Sequence, residues 1–296
     1  MSMGLLLVVL FSILPSAPAL ASSSQPPVDY SFYEFGNSWN NMYTLGCNQV
    51  HYDYAVGHNS FVILDFGAIY DNSGDQLNFG NTILTSYRVY QLATAFADGY
   101  SQCGPRGAYW LNLAVGTNNS IVLNAAEGSA FATTVKDVSS WANSYAWHVA
   151  TWGANDIESW NNPSYTYNWY SGYSSQGPPA YIDFGSANGC PTTGYGPACS
   201  NGWSQGDYYN LSWNEPLAYS TPEIYYQANA SQWAWISAYG AASQPAGGIQ
   251  PWGPVDQYDL VTSSNTAQQA WNDLCFLFCP NNGNNMNYSF EMHNTN

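Results

Sequence analysis

The chain has 296 residues, 46% of them hydrophobic and 17% aromatic, and sets three basic residues against nineteen acids for a formal charge of −16. That charge repels phosphate backbones, so nucleic acid is not the expected partner. The aromatic content excludes a disordered chain, and no run beyond the N-terminus is long and apolar enough to span a membrane.

Residues 4–14 form an apolar run of leader length, followed by the small-x-small site Ala19-Leu20-Ala21. Residues 1–21 therefore read as a signal peptide and the mature protein as secreted. No Lys or Arg precedes the run, which keeps a retained N-terminal anchor as the alternative. All six cysteines (Cys47, Cys103, Cys190, Cys199, Cys275, Cys279) follow the leader, and an even count in an exported chain favours disulfides. Cys190 and Cys199 bracket a Pro/Gly-rich loop and are the favoured pair; the pairing of the other four stays open. C-x-x-C pairs are absent and the four histidines (His51, His58, His148, His293) are scattered, so neither metal nor cofactor is expected. The surplus of carboxyls suggests an acidic working environment, where self-repulsion is small.

Residues 22–59 lack a clear period and read as an irregular N-terminal arm with room for one short strand near Asp29. Phe61-Val62-Ile63-Leu64-Asp65-Phe66 is a branched apolar run that suits a strand buried on both faces. A helix follows Asn81, with Ile83, Tyr87, Tyr90 and Thr94 as its stripe. Residues 109–115 form the next strand. Phe131, Val135, Val138, Ala142 and Tyr145 then recur at steps of four and three, which predicts a helix from about Ser129. Residues 149–155 lead as a strand into Asp156-Ile157-Glu158. Residues 181–184, 208–213 and 223–226 are further strand candidates. Helices are expected at 230–239 and 265–274, and residues 277–296 form a tail.

Alternation of strands and helices points to βαβ units. Seven or eight strands suit a single (β/α)8 TIM-barrel-like domain over 60–276. An all-β sandwich is the alternative, given the abundant Tyr, Trp and Gly.

In a parallel barrel, chemistry sits at the C-terminal ends of strands. Asp65, Asp156, Glu158 and Asp183 fall there and are the catalytic candidates, with Asp207 or Glu215 near a later strand. Glu223 opens its strand candidate and should lie at the opposite rim. Asp156 and Glu158, two apart on a strand, share a face. Two carboxylates so placed repel, and one then keeps its proton at a higher pH. Such a pair can protonate a glycosidic oxygen and stabilise charge at the sugar carbon. Trp160, Trp213, Tyr209, Asn118 and Asn155 are the substrate-binding candidates, because flat aromatic faces with polar edges suit sugars. The structural reading of the same residues is a turn capped by Asp156 or Ser159 and ordinary aromatic packing. A metal-dependent hydrolase using Asp65, Asp156 and Asp183 is a further alternative. Asp65-Phe66-Gly67 and Asp183-Phe184-Gly185 echo one another after apolar pairs.

The Asp156-x-Glu158 motif resembles that of chitinase-like and muramidase-type barrel glycosidases. The resemblance implies Glu158 as the acid and Asp156 as its assistant, on a secreted glycoside hydrolase acting on a polysaccharide or cell-wall glycan. It covers this one motif. The positions where the chitinase pattern carries further acids hold Trp152 and Ala154. A non-catalytic carbohydrate-binding or surface protein on the same scaffold is the competing function.

Overall fold

The computed structural model describes residues 24–35, 38–105, 109–194, 198–282 and 286–295; the expected signal peptide lies outside them. In chain order the elements are β1 (Asp29–Tyr33), α1 (Trp39–Val56), β2 (Ser60–Ile69), β3 (Gln76–Leu77), β4 (Ile83–Leu84), α2 (Ser86–Cys103), β5 (Leu111–Asn118) and α3 (Ala125–Tyr145). There follow β6 (Val149–Asp156), α4 (Pro163–Ser175), β7 (Tyr181–Asp183), α5 (Gln205–Tyr209), β8 (Ala218–Ser220), α6 (Gln227–Ser243), β9 (Val255–Asp256), α7 (Ala267–Asn282) and β10 (Phe290–Asn294).

Eight strands pair in parallel in the order β8-β7-β6-β5-β2-β1-β10-β9, with β3 and β4 as a small antiparallel appendage on β2. The sheet curls. Trp152 of β6 packs edge-on against Trp252, which leads into β9, although β6 and β9 lie far apart in the strand order. Beyond β8 the chain reaches β9 directly: Val255 N–H donates to Pro222 O (2.9 Å) and Ile224 N–H to Val255 O (2.8 Å). The fold is thus α/β with a curled parallel sheet and helices outside it, and the sandwich alternative is excluded.

Two cores follow from strand alternation. Val62, Leu64, Phe66, Leu111, Leu113 and Val115 face the helices, while Phe61, Ile63, Ala114, Ala154, Ile182, Val255, Phe290 and Met292 fill the concave side. The stripe Phe131, Val135, Val138 and Ala142 of α3 is buried as expected, each larger side chain stabilising by about 1.5–3 kcal/mol. Tyr145 at its end is exposed. The stripe expected for α2 is rotated: Tyr87 faces solvent, as does Ile83, which belongs to β4, while Thr94 is buried together with Val89, Leu92, Ala93 and Phe96. The helices meet closely. A Cβ on Gly46 would fall 2.0 Å from Phe96 O, and one on Gly99 2.0 Å from Tyr43 O, so α1 and α2 touch backbone to backbone only because both positions are glycine.

Three expectations need correction. The presumed irregular tail instead supplies β10, and the arm, where a short strand near Asp29 was expected, supplies β1 and also α1; β1 and β10 pair with each other over five residues. Their register was hidden because each is a single short strand between polar segments. Residues 208–213 are not a strand; they belong to α5 and a π-helical turn (Asn210–Asn214), started by a capping box in which Asp207 accepts from Ser204 N–H (2.8 Å). Glu223 does not open a strand, because β8 has already ended at Ser220.

The cysteines pair as Cys47–Cys103, Cys190–Cys199 and Cys275–Cys279, so the favoured bridge is present and the first ties α1 to α2. Among the described residues no helix is long and apolar enough to cross a membrane.

Candidate active site

The inner side chains of β6 are Trp152, Ala154 and Asp156, and Ile157 turns outward into the helix-facing core. Glu158 returns to the inner side. Its main chain is held by Asn119, whose Oδ1 accepts from Glu158 N–H (2.9 Å) and whose amide donates to Glu158 O (2.8 Å). Asn201 donates to Ser159 O and Trp160 O, and the Trp203 indole N–H to Asn161 O (2.6 Å), so the loop after β6 is pinned along its length.

Glu223 joins this pair. Its N–H donates to Gly185 O (3.1 Å), which sets it at the C-terminal end of the segment continuing from β8. One carboxylate oxygen from each of Asp156, Glu158 and Glu223 lies within 4.8 Å of the others. Tyr225 donates its hydroxyl to Glu223, and Tyr33 at the end of β1 stands 3.3 Å from the Tyr225 hydroxyl. Asp156 Oδ1 has no hydrogen-bond partner among the described residues.

Electrostatics follow from this crowding. Burial, and then the charges of Glu223 and Glu158, push the Asp156 carboxyl well above the usual carboxylate range. Burial and Glu158 do the same to Glu223. Burial also raises Glu158, opposed by the hydrogen bonds it accepts from Trp160 and Ser186. Three carboxyls this close cannot all ionise, so the cluster shares protons. The same oxygens are near enough to hold one divalent cation.

The other expected residues are distributed as follows. Asp65 is on the inner face of β2, fully buried and level with Ala154, two residues below Asp156; Gly67 N–H donates to its Oδ1 (2.9 Å) and its Oδ2 is unpartnered among the described residues. Asp183 faces the helices instead. It accepts from Ser212, from Gly185 N–H (2.9 Å) and from Ile157 N–H (3.4 Å). The Asp-Phe-Gly echo is thus the same local hydrogen bond, Asp Oδ1 accepting from the N–H two residues on, with its carboxyls on opposite faces. Burial lifts both Asp65 and Asp183 to about 7.

Asn118 pairs in register with Asp156, and its Oδ1 binds Ser120. Asn155 is buried with both amide atoms unpartnered among the described residues. Trp160 is 59% exposed beside Glu158. Tyr209 is buried against Gly240 of α6 with its hydroxyl on Gly247 O (2.6 Å), and Trp213 packs edge-on to Tyr219; the carboxyl cluster gathers neither of them. Asn119, Glu223, Tyr33 and Tyr225 were not among the expected site residues. An adjacent asparagine pair and two Tyr-rich strand ends were the only signals in the sequence.

No protein-family model matches the chain, and no curated protein matches it in sequence.

Proposed function

We propose that the protein is a secreted glycoside hydrolase on a closed (β/α) barrel, with Glu158 as the proton donor to the glycosidic oxygen. The observation that carries this reading is the convergence of Asp156, Glu158 and Glu223 at one end of the parallel strands, beside an exposed tryptophan. The Pro222–Val255–Ile224 hydrogen bonds, which join the two sheet edges, support barrel closure. Three disulfides and the N-terminal apolar run support secretion.

In this mechanism Glu158 gives its proton to the leaving oxygen as the glycosidic bond breaks, a water then adds its hydroxyl to the sugar carbon, and the proton that water releases returns to Glu158 through Asp156, so that Glu158 re-enters each cycle as an acid. The remaining negative charge of the cluster stabilises the oxocarbenium-like carbon. Tyr225 and Tyr33 orient Glu223 by hydrogen bonding. Trp160 offers a flat face for a sugar ring beside the acid.

The test is Glu158→Gln assayed on a panel of cell-wall and storage polysaccharides. Loss of at least a thousandfold in turnover, with an unchanged circular dichroism spectrum, is expected. Full activity in the variant would sink the assignment. Sugar binding without turnover in the unmodified protein would establish the non-catalytic alternative in its place.

A further inference from the structure

Outside this cluster, a second group of ligating side chains gathers at the ends of β9 and β10. Strand alternation places it on the opposite face of the sheet. Val255, Phe290 and Met292 point inward, so Asp256, Glu291 and His293 point outward. Asp259, in the loop after β9, turns back over them. One ligand atom from each of Asp259, Glu291 and His293 lies within 4.8 Å of the others.

Two observations say that this set is built for an ion. First, His293 Nδ1 stands 3.4 Å from Asp259 Oδ2. That is longer than a charge-assisted hydrogen bond, about 2.7–2.9 Å. It equals the edge of a tetrahedron whose bonds from the centre are about 2.1 Å, the length of zinc–nitrogen and zinc–carboxylate bonds. Second, Asp256 is fully buried, pairs in register with Glu291 on the same face, and leaves its Oδ2 without a partner among the described residues. Three carboxyls and an imidazole thus meet in a chain that owns only three basic residues, two of which, Arg88 and Lys136, belong to α2 and α3.

We propose that Asp259, Glu291 and His293 bind a divalent transition-metal ion of the zinc class, whose charge the carboxylates of Asp259 and Glu291 balance, with Asp256 as an adjoining carboxyl. The mixed nitrogen and oxygen donors suit zinc, and disfavour magnesium or calcium, which take oxygen alone. Asp259 is more than half exposed, and His293 also borders a cavity of about 420 Å³ lined by Tyr30, Phe32, Leu45 and Tyr52, so the ion has an entry path. Bound there, it ties the loop after β9 to the last strand.

The test is calorimetric titration of chelator-stripped protein with zinc chloride, and in parallel with magnesium chloride. One zinc site is expected, with affinity for zinc at least a hundredfold above that for magnesium. His293→Gln and Asp259→Asn should each weaken it at least tenfold, while Glu158→Gln should leave it unchanged. Cobalt titration of the unmodified protein gives a readout that needs no variant: intense visible bands of a four-coordinate site, with the His293 ring resonance perturbed among the four histidines. Absence of zinc binding, binding lost in Glu158→Gln but kept in His293→Gln, or a cobalt spectrum without those bands would each overturn the proposal.

Discussion

Asp65 offers a direct measurement of what a buried, half-satisfied carboxyl costs. Its side chain is fully buried, one oxygen accepts from Gly67 N–H and the other has no partner among the described residues. Burial raises its pKa from 3.8 to about 7. A carboxyl whose pKa is higher folded than unfolded contributes its stability fully below about 3.8, and loses it as pH rises through about 7. At about 1.4 kcal/mol per pKa unit, ionised Asp65 costs about 4 kcal/mol at pH 8 relative to its protonated form. Asp65→Asn mimics the protonated group: the amide oxygen still accepts from Gly67, and the NH2 replaces an O–H that is equally unpartnered. Urea denaturation at pH 4 should find variant and parent within about 1 kcal/mol, and at pH 8 the variant more stable by up to about 4 kcal/mol. An equal difference at both pH values, or a variant less stable at pH 8, would refute the reasoning.

The unmodified protein should itself lose stability between pH 4 and 8, because burial raises Asp29 and Asp183 to about 7 and Asp256 to about 8 in the same direction; a thermal midpoint that climbs over that range would count against it. Asn119→Ala removes both bonds to the Glu158 main chain, so it should cost about 1–3 kcal/mol of stability and lower turnover at least tenfold, measured by melting and by glycan hydrolysis. Gly99→Ala should destabilise by about 3 kcal/mol in denaturant titration, since its Cβ would sit 2.0 Å from Tyr43 O. Replacing Cys47 and Cys103 by Ala, which opens a 56-residue loop, should cost about 4 kcal/mol, against about 2 kcal/mol for the Cys275 and Cys279 pair, whose separation is 4.

Elements with a strong period were legible. The branched run at Phe61 and the step-of-four stripe on α3 identified a doubly buried strand and a helix, because burial on two faces or along one stripe writes itself into composition. The rotated stripe of α2 misled because Tyr serves equally well at a surface and in a core. β10 escaped, and with it the second partner of β1, because a five-residue strand whose partner lies at the other end of the chain carries no local signature. Asp156 and Glu158 were legible as a same-face pair from spacing alone. Glu223 was not: its place depends on β8 stopping after three residues and the chain then bending toward β9. Asp183 read as equivalent to Asp65 because both open the same Asp-Phe-Gly sequence, but a shift of one residue in alternation put them on opposite faces.

The pairing of β1 with β10 also orders events in time. Thr295 hydrogen-bonds Tyr33 across 262 residues of chain. During synthesis β1 can meet β2 early, but its other edge has no partner until Phe290–Asn294 has been made. Until then Phe61 lacks Tyr288 and Phe290, so the inner aromatic cluster lacks part of its packing. Contacts this distant in sequence form slowly. One edge of β1 therefore stays open, and the inner aromatic cluster unfinished, through nearly the whole of the chain's elongation.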